Sequence, residues 1–520
     1  MEETLVLVLL CTSLAALAIV MLLRHGHGQK DGKTGRRLPP GPPALLFLAK
    51  FLALRRSIFD LGPMLRELHA RYGPVISLRL ARTLVFVADR RLAHRVLVQG
   101  GATFADRPPP IEPGLMFNGG RDISSSPYGA YWRLVRRNLA GEALQPCRVA
   151  QFAAARRLVC DRLVANLLLL VNNSKEDLKV VTLRPLLRRA MFELLVHMCF
   201  GARLPLPDDE LLDEIEQLQH KILLSVASFP IFAFFPAITK RLFRKRWEEL
   251  VSIRRRQDEL FLPLIHHHQS SNSTPPCYAD SLLKLRVPDG EEDRPLTDSE
   301  MVSLCSEFLN GGTDTTVTLV EWIMAELVNH PDVQAKLRQD LLLLQEHQEE
   351  AVGGKEKMLK AVILEGLRLH PPGHFVLPHG VQTESDIGGY TVPRGAEVNF
   401  MVADIGRDAT AWTAPMEFRP ERFLHGGEGC GVDITGSREI KMMPFGAGRR
   451  MCPGYALGIH HAEYFVARMV RDLHWLPSTP TPTVVDENHQ APAVNMEEAL
   501  DFTTVMKHPL RARIVPVPTN

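Results

Sequence analysis

The longest run of apolar positions lies at the N-terminus, where Leu5 to Leu23 contains no charged residue. As a helix this run would be roughly 28 Å long, close to the hydrocarbon thickness of a bilayer. Glu2 and Glu3 precede the run, and a group of basic residues follows it: Arg24, Lys30, Lys33, Arg36 and Arg37. The positive-inside rule then puts the rest of the chain in the cytosol. The pattern predicts a single-pass anchor over residues 1–23, rather than a cleaved signal peptide, which would have a basic segment before its apolar run.

The following segment, residues 24–43, is basic and ends in Leu38-Pro39-Pro40-Gly41-Pro42-Pro43. Prolines fix φ and extend the backbone stiffly. We therefore predict a hinge here, followed by one large domain over residues 44–520.

Helical spacing dominates that domain, and its longest stretch starts with the capping box Thr297-Asp298-Ser299-Glu300. No proline follows until Pro331, so the pattern predicts one helix that ends at His330. The middle of this helix, Gly311 to Thr316, consists of poor helix formers. Such a stretch favours close packing or a local opening, and we expect a ligand beside it.

Two further helical runs place charged residues in pairs. Glu365 and Arg368 share one face of a helix over Glu356 to His370, and they would need partners if buried among the neighbouring leucines. Trp132 and Arg136 lie four residues apart on a helix that follows a Ser-Ser-Ser-Pro segment. Both pairs are therefore candidate site residues.

Alternating apolar and polar positions are confined to short segments. Val75 to Leu80 and Thr83 to Ala88 predict a hairpin, and so do Tyr390 to Val392 and Glu397 to Phe400. The pattern predicts a mainly α-helical fold with small β-sheets. The apolar segment Ile222 to Ile238 leaves two interpretations open: core packing, or an access channel that dips into the membrane surface.

Composition removes several classes of function. The chain has 61 Lys and Arg against 59 Asp and Glu, a net charge of +2, which argues against a nucleic-acid partner. Its eight cysteines lack paired spacing, as expected of reduced thiols in a protein that faces the cytosol. We see no glycine loop for nucleotides and no flavin fingerprint, so electrons for redox chemistry would come from another protein.

The candidate chemistry centres on Phe445-Gly446-Ala447-Gly448-Arg449-Arg450-Met451-Cys452-Pro453-Gly454. A cysteine at a helix start has a lowered pKa and is a thiolate ligand for a metal. Gly448 and Gly454 permit positive φ and a close approach to a flat macrocycle. A structural zinc site is less favoured, because Cys430 lies 22 residues away and zinc sites use closely spaced pairs.

This loop resembles that of the cytochrome P450 family, whose pattern F-x-x-G-x-R-x-C-x-G is matched by Phe445, Gly448, Arg450, Cys452 and Gly454. The order of the other motifs is similar too. The segments His370 to Phe375 and Asn310 to Gly312 are similar to plant A-type microsomal members. One departure precedes Glu365, where Lys357-Met358-Leu359-Lys360 is two residues short of the usual family segment, as a gene-model fault or a weakened helix start would produce.

The resemblance implies haem b as cofactor, with Cys452 as axial ligand and Phe445 shielding its sulfur. It implies that Trp132, Arg136 and Arg450 bind the haem carboxylates. His379 stands where many plant members have a further arginine, and a half-charged imidazole is a weaker partner for an anion.

Further roles are implied in the same way. Asp314 and Thr315 correspond to the acid and alcohol that handle protons on the oxygen side of the haem. Glu365, Arg368 and Arg422 correspond to a structural triad that holds the haem-binding core together. The substrate-facing candidates are Phe117, Phe308, Phe375, Val376 and Thr504.

The implied function is a monooxygenase of the endoplasmic reticulum membrane. It would take electrons from NADPH-cytochrome P450 reductase and insert one oxygen atom of O2 into an apolar organic small molecule, such as a plant secondary metabolite, lipid or pigment derivative. The alternatives are a lyase or isomerase on the same fold and a non-catalytic haem-binding protein. The Asp314-Thr315 pair favours the monooxygenase.

Overall fold

The computed structural model describes residues 37–43, 47, 61–79, 82–173, 180–201, 209–228, 231–233, 235–266, 276–290, 292–346, 357–478 and 494–517. The predicted anchor and most of the predicted hinge lie outside these residues. In the described part of the chain, no helix has both the length and the apolar character needed to cross a membrane.

Helices make up most of the described chain. In chain order they are α1 Gly62–Tyr72, α2 Arg90–His94, α3 Gly114–Asn118, α4 Ala130–Glu142, α5 Pro146–Gln151, α6 Ala153–Asn173, α7 Leu183–Phe200, α8 Asp209–Ala227, α9 Pro236–Leu242, α10 Arg244–His266, α11 Tyr278–Lys284, α12 Asp298–Asn329, α13 Pro331–Glu346, α14 Lys357–Leu369, α15 Val402–Gly406 and α16 Tyr455–Asp472. Short 3₁₀ helices lie at Ile231–Ala233, Pro420–Phe423 and Gly448–Arg450, and a π-helical turn lies at Arg95–Gln99.

The strands are short and form small sheets. They are β1 Val75–Arg79, β2 Thr83–Val87, β3 Val180–Thr182, β4 Arg286–Asp289, β5 Glu292–Pro295, β6 His379–Gly380, β7 Ser385–Ile387, β8 Tyr390–Val392, β9 Glu397–Phe400, β10 Leu473–Pro477, β11 Glu498–Leu500, β12 Thr504–Met506 and β13 Arg511–Pro516. The largest sheet has the order β1-β2-β9-β6, a second has the order β10-β13-β3, and the remaining strands pair as hairpins. The predicted mainly α-helical fold with small sheets is confirmed.

Helix α12 runs through the centre of the domain. It begins at the predicted capping box, in which the Thr297 hydroxyl and the Glu300 carboxylate accept each other's backbone N–H, and it ends at Asn329, with His330 as its C-cap before Pro331. Most of its side chains are buried on all sides, including Trp322 and Glu321. A helix that is buried all round belongs to the core of a large domain, so α12 positions whatever lies beside its middle.

Strand pairing differs from the prediction in one place. The hairpin of β1 and β2 is confirmed, but the predicted pairing of β8 with β9 is wrong. β8 pairs with β7 across the turn at Gly388 and Gly389, which have φ of 64° and 84°, as a tight hairpin turn requires. β9 instead lies parallel to β2.

The remaining pairings combine local and distant partners. β4 and β5 form a local hairpin over residues 286–295, and β11 pairs with β12 near the C-terminus. β13 pairs instead with β10 and with β3, which lies more than 300 residues earlier.

The described end of the predicted hinge packs on the domain. The Ser77 N–H donates to the Pro40 carbonyl at 2.8 Å, and the Ser77 hydroxyl donates to the Pro39 carbonyl at 2.6 Å. A Cβ on Gly41 would lie 1.8 Å from the Ser77 carbonyl oxygen. The described end of the predicted hinge therefore contacts β1 through Pro39, Pro40 and Gly41.

Candidate cofactor and active site

The cysteine loop is built by glycine geometry. Gly446 and Gly448 have φ of 68° and 73°, in the left-handed region that glycine adopts without steric cost. A Cβ on Gly448 would lie 2.0 Å from the Leu97 carbonyl oxygen. Gly454, predicted to need the same freedom, has φ of −89° and precedes α16 as its N-cap. The loop closes where the Cys452 N–H donates to the Phe445 carbonyl at 2.8 Å.

The thiol of Cys452 is half-buried, and burial raises its pKa above the ordinary value. The Gly454 N–H and the Arg136 guanidinium lower that pKa, but by less. The expectation that the helix start lowers this pKa is therefore wrong for the protein alone, because burial outweighs the local donors and α16 begins only at Tyr455. A metal ion deprotonates the thiol that coordinates it, so thiolate formation at Cys452 would depend on the metal.

Helix α12 stays continuous through its glycine-rich middle, so the predicted local opening is not seen, but the helix is accessible there. Gly311 is exposed although Leu309 and Thr313 are buried, and no atom outside its own helix lies within 4 Å of the Cβ it lacks. On the other side, a Cβ on Gly312 would lie 2.8 Å from Leu195 of α7, so the two helices cross closely there. The Thr315 hydroxyl donates to the Gly311 carbonyl at 2.7 Å. Gly311 and Thr315 thus lie on an accessible side of α12.

Asp314 forms an ion pair with Arg188. Its Oδ1 lies 2.7 Å from Nη1 of Arg188 on α7, and Nε of the same guanidinium lies 3.1 Å from Glu216 on α8. Burial raises the pKa of Asp314 to about 6; Arg188 lowers it, and Asp501 and Glu216 raise it further. This carboxyl therefore titrates near neutral pH, in the range suited to proton transfer.

A small cavity borders Asp314. Its volume is about 20 Å³, room for roughly one water molecule. It is lined by Arg184, Arg188, His220, Asp314, Val317, Thr318, Asp501, Phe502, Thr503 and Val505. A water there would connect Asp314 to polar groups of α7, α8 and the β11–β12 turn.

The predicted carboxylate-binding residues are brought together. Arg450 is buried and donates to the carbonyls of Ala105 at 2.6 Å, Ile123 at 3.1 Å and Ser126 at 2.6 Å. Arg136 donates to the carbonyl of Met451, next to Cys452. Each guanidinium has five N–H groups, so both retain donors for an anionic ligand.

Trp132 occupies the same region, but its donor is already in use. The indole N–H donates to the Ile123 carbonyl at 3.1 Å, and an indole has only that one donor. The Arg450 guanidinium lies over the Trp132 ring, with its central carbon 4.2 Å from the ring centroid. In this arrangement Trp132 supports the loop and Arg450 and leaves no free N–H for a carboxylate.

His379 differs from the expectation of a half-charged imidazole. Burial lowers its pKa to about 3, and Arg107 lowers it further. The neutral ring lies with Nδ1 2.6 Å from the Phe104 carbonyl oxygen, which accepts its hydrogen bond. His379 therefore brings no positive charge to the site.

Arg107 was not predicted from the sequence as a site residue. This half-buried guanidinium donates to the carbonyls of Ser124 at 2.7 Å, Leu377 at 3.0 Å and Pro378 at 2.9 Å. It thus lies against the segment just before His379. Burial lowers its pKa to about 9, and Arg450 and Arg136 are close enough to lower it as well. The positive charge of Arg107 was the only signal in the sequence, and its neighbours become apparent only in the fold.

The predicted structural triad is assembled in the core. Glu365 and Arg368 are completely buried, and Arg368 Nε lies 2.7 Å from Oε2 of Glu365. Arg422 Nε lies 3.0 Å from Oε1 of the same carboxylate. Arg422 also pairs with the Glu428 carboxylate, and other guanidinium donors bond backbone carbonyls, among them Gly406 at 3.0 Å and Pro415 at 2.7 Å. The triad therefore ties α14 to the irregular segment that leads to the cysteine loop.

The substrate-facing candidates have different surroundings. Phe308 is buried and packs against Tyr278, with 5.3 Å between ring centroids. Phe375 packs on Phe86 at 6.3 Å. Val376 lies against the cysteine loop, 3.6 Å from the Cβ position of Gly446.

The other two candidates are held mainly through their backbones. The Phe117 carbonyl accepts from Ser303 at 3.0 Å and from Arg254 at 2.8 Å. Thr504 is buried; its N–H donates to Pro372, and its carbonyl accepts from the Trp322 indole at 2.9 Å. The fold thus fixes the backbone of both residues.

Glu307 is a second residue that the sequence analysis missed. It lies on α12 seven residues before Asp314, two turns away on the same face of the helix. Its carboxyl accepts the backbone N–H groups of Ile123 and Ser124, each at 2.7 Å. A carboxylate one helical turn before Gly311 was the signal, but its partners lie about 180 positions earlier in the chain.

Comparison with protein families gives one match over most of the chain. The sequence model of the family described as Cytochrome P450 matches residues 39–499. The match includes the cysteine loop, the middle of α12 and the triad.

Relatives in plants match over nearly their whole length. Cytochrome P450 89A9 of Arabidopsis thaliana is 41% identical over 496 residues, which are 92% of this chain and 94% of that protein. A flavonoid 3'-monooxygenase of the same plant is 29% identical and is covered to 96%, as is this chain. Phenylacetaldehyde oxime monooxygenase CYP71AN24 of Prunus mume is 30% identical, with 98% of this chain and 94% of that protein covered. These names support a cytochrome P450 monooxygenase.

Solved structures share the fold. A retinoic acid-bound cyanobacterial CYP120A1 superposes with a TM-score of 0.72 at 19% identity, covering 93% of this chain and all of that one. A zebra fish cytochrome P450 with progesterone gives a TM-score of 0.69 at 23% identity, covering 88% and 99%. The arrangement of helices around α12 is therefore that of a known fold.

Proposed function

The chain belongs to the cytochrome P450 family, and we propose on that basis that it is a haem-thiolate monooxygenase anchored in the endoplasmic reticulum membrane. It inserts one oxygen atom of O2 into an apolar organic small molecule and receives electrons from NADPH-cytochrome P450 reductase. The single observation that carries this proposal is that Cys452 lies close enough to Arg136, and to Glu307 of α12 one turn before exposed Gly311, for both to act on its pKa.

The residues fit haem b. Three guanidiniums, those of half-buried Arg107 and Arg136 and of buried Arg450, lie close enough to influence each other's pKa. The described carboxyls that act on them are Asp106, Asp122 and Glu307, and burial raises the pKa of Asp122 and Glu307, which favours their neutral forms. A cluster with this surplus of positive charge suits a cofactor that carries carboxylates. Cys452 supplies the thiolate, and the half-buried Phe445 shields its sulfur.

Bound haem supplies the redox chemistry that activates O2. The protein's task is to bind, orient and protonate. Burial raises the pKa of Asp314 to about 6, so this carboxyl can take up and release a proton near neutral pH, and the adjacent cavity has room for a water molecule that would exchange that proton. Thr315 lies on the accessible side of α12 with a hydroxyl that can rotate between the Gly311 carbonyl and a ligand. These two residues share proton delivery.

The reductase partner is supported by an exposed basic patch. Arg133 and Arg137 are exposed on α4, the helix that carries Arg136. Arg449, exposed in the cysteine loop, donates to the Tyr128 hydroxyl at 2.9 Å, and the Arg133 guanidinium lies over the same ring. The patch therefore surrounds the cysteine side of the site. An acidic partner would dock there with a salt-dependent rate.

The membrane proposal rests on the sequence. The apolar run from Leu5 to Leu23 and the basic residues after it favour an anchor with the domain in the cytosol. Residues 37–43 lie along β1, so an anchor at this end would hold the domain against the membrane surface.

The proposal is tested with microsomes that contain the chain and a plant NADPH-cytochrome P450 reductase, supplied with a mixture of apolar plant metabolites and ¹⁸O2. Products that gain one labelled oxygen atom, and only when NADPH is present, are the expected result. Product formed from a peroxidised substrate without NADPH or O2 would replace the monooxygenase with a lyase.

The same assay separates a role of Thr315 in proton delivery from a structural role. Thr315→Ala is expected to divert electrons from product to hydrogen peroxide, since proton-transfer help is worth about a hundredfold or more. Thr313→Ala is the matched control, because the Thr313 hydroxyl makes the same bond to the fourth preceding carbonyl, also 2.7 Å long, from a buried face. Equal losses in both variants would contradict the assigned role.

A further inference from the structure

The carboxyl of Glu307 connects two parts of the site that the chain keeps far apart in sequence. Its Oε2 accepts the Ile123 N–H at 2.7 Å, and its Oε1 accepts the Ser124 N–H at 2.7 Å. The Ser124 hydroxyl donates to Oε1 as well. Three donors of one short segment therefore converge on one side chain of α12.

That segment also builds the carboxylate-binding side of the cofactor site. Its carbonyls face the other way: Ile123 accepts from Arg450 and Trp132, each at 3.1 Å, and Ser126 accepts from Arg450 at 2.6 Å. The Ser124 carbonyl accepts from Arg107 at 2.7 Å. The segment is thus fixed to the guanidiniums on one side and to Glu307 on the other.

The position of Glu307 on α12 places this link on the same side of the helix as Gly311 and Thr315. It lies one turn before Gly311 and two turns before Thr315, so the three residues share one side of the helix. One turn earlier, the Ser303 hydroxyl donates to the Phe117 carbonyl at 3.0 Å. Helix α12 therefore holds the segment from Phe117 to Ser124 at both ends.

Retaining a carboxyl in this place is unfavourable unless all its partners are present. Burial raises the pKa of Glu307 to about 8, and Asp122 raises it further, whereas the Ser124 and Ile123 donors lower it. A buried polar group that loses its partners costs far more than an apolar residue of similar size. The three donors make this position specific for a carboxyl.

We propose that Glu307 is a positioning residue that couples the carboxylate-binding side of the cofactor site to the oxygen-side helix, by holding Ile123 and Ser124 against α12. This inference rests on the proposed function. We call the segment from Phe117 to Ser124 the wall. Through these bonds the wall keeps one position relative to Thr315 while substrate binds.

The first test measures hydrogen–deuterium exchange of the haem-bound protein, resolved to single amides. In Glu307→Gln the side-chain NH2 faces N–H donors, so at least one of the Ile123 and Ser124 amides should exchange about tenfold to a hundredfold faster. Glu300→Gln is the matched control on the same helix, two turns earlier, where the carboxylate binds Arg294 and the Thr297 cap. Unchanged exchange at both amides, or equal acceleration in the control, would overturn the proposal.

The second test asks whether the held segment matters to ligands. Spectral titration with imidazole and with 4-phenylimidazole compares a probe too small to reach the wall with one that contacts it. Glu307→Gln should weaken 4-phenylimidazole about fivefold, because the loosened wall must be ordered on binding, and should leave imidazole within about twofold. Equal weakening of both probes, or no change in either, would overturn the proposal.

If Glu307→Gln yields no haem-bound protein, Glu307→Asp replaces it in both tests. The shorter side chain keeps the carboxyl but not the reach, so faster exchange and weaker binding of the larger probe are again expected, and wild-type values would overturn the proposal. Neither test uses turnover. A chain that binds haem but oxidises nothing would refute the proposed function and would leave the exchange and binding measurements valid.

Discussion

Asp314 shares the guanidinium of Arg188 with Glu216: Arg188 lies 2.7 Å from Asp314 and 3.1 Å from Glu216. The candidate proton donor on α12 is therefore tied to α7 and, through one cation, to α8. Since the guanidinium lowers the pKa of Asp314 against the effect of burial, its loss must raise that pKa above about 6.

The Arg188→Gln variant should move the pH dependence of coupling. The fraction of NADPH electrons that reach product is expected to change with a midpoint near pH 6 in the wild type, because the pKa of Asp314 is about 6. In the variant the midpoint should move upward by about one pH unit. Arg189→Gln is the control, because Arg189 pairs with exposed Asp213. A midpoint that stays in place or falls would contradict the role of Arg188.

A methyl group at Gly448 should prevent assembly of the cofactor site. Gly448→Ala places a Cβ 2.0 Å from the Leu97 carbonyl in a backbone with φ of 73°, a conformation that costs an alanine about 1–2 kcal/mol before the clash is counted. Haem content per polypeptide should fall severalfold. Gly114→Ala, where nothing lies within 4 Å of the new atom, should keep its haem. Full haem content in Gly448→Ala would show that the loop can shift.

Removing the carboxylate of the triad should destabilise the whole domain. Glu365→Gln leaves Arg368 and Arg422 buried without their shared anion, which is expected to cost about 3–5 kcal/mol of unfolding free energy. Thermal unfolding of the haem-bound protein measures this. Glu421→Gln changes an exposed carboxylate paired with Lys336 and should have almost no effect. A small change in Glu365→Gln would mean that the triad contributes little.

Arg107 should matter more than His379 for haem retention. Arg107→Gln removes one of three neighbouring cations and its bonds to Ser124, Leu377 and Pro378, so haem should be lost faster to an excess of apomyoglobin. His379→Gln removes a neutral ring and should have a smaller effect. Exposed Arg121 provides the control Arg121→Gln. Faster loss from His379→Gln than from Arg107→Gln would reverse the assignment.

Local signals predicted the parts of the structure that depend on neighbouring residues. The capping box at Thr297 and Pro331 set both ends of α12, and the alternation of Val75 to Ala88 predicted a hairpin. The cysteine loop could be recognised because its glycines, arginine and cysteine lie within ten residues. In each case the interactions that decide the structure are close in sequence.

The remaining features depend on partners far away in the chain. β9 pairs with β2, more than 300 residues earlier, and this pairing overrides the short alternation that suggested a hairpin with β8. Arg107 and Glu307 looked like ordinary charged residues until the fold placed them beside Ser124. The pKa of Cys452 was mispredicted for a related reason: burial by the whole domain outweighs the local helix start.

The central claim, a thiolate ligand at Cys452, is tested most directly by the carbon monoxide difference spectrum of the reduced, haem-reconstituted protein. The wild type and Cys430→Ser, which changes an exposed cysteine, should both show the red-shifted band that requires sulfur opposite the gas molecule. Cys452→Ser should lose that band while the fold, followed by circular dichroism, is retained. A red-shifted band that persists in Cys452→Ser would contradict the assignment of the ligand and, with it, the proposed function.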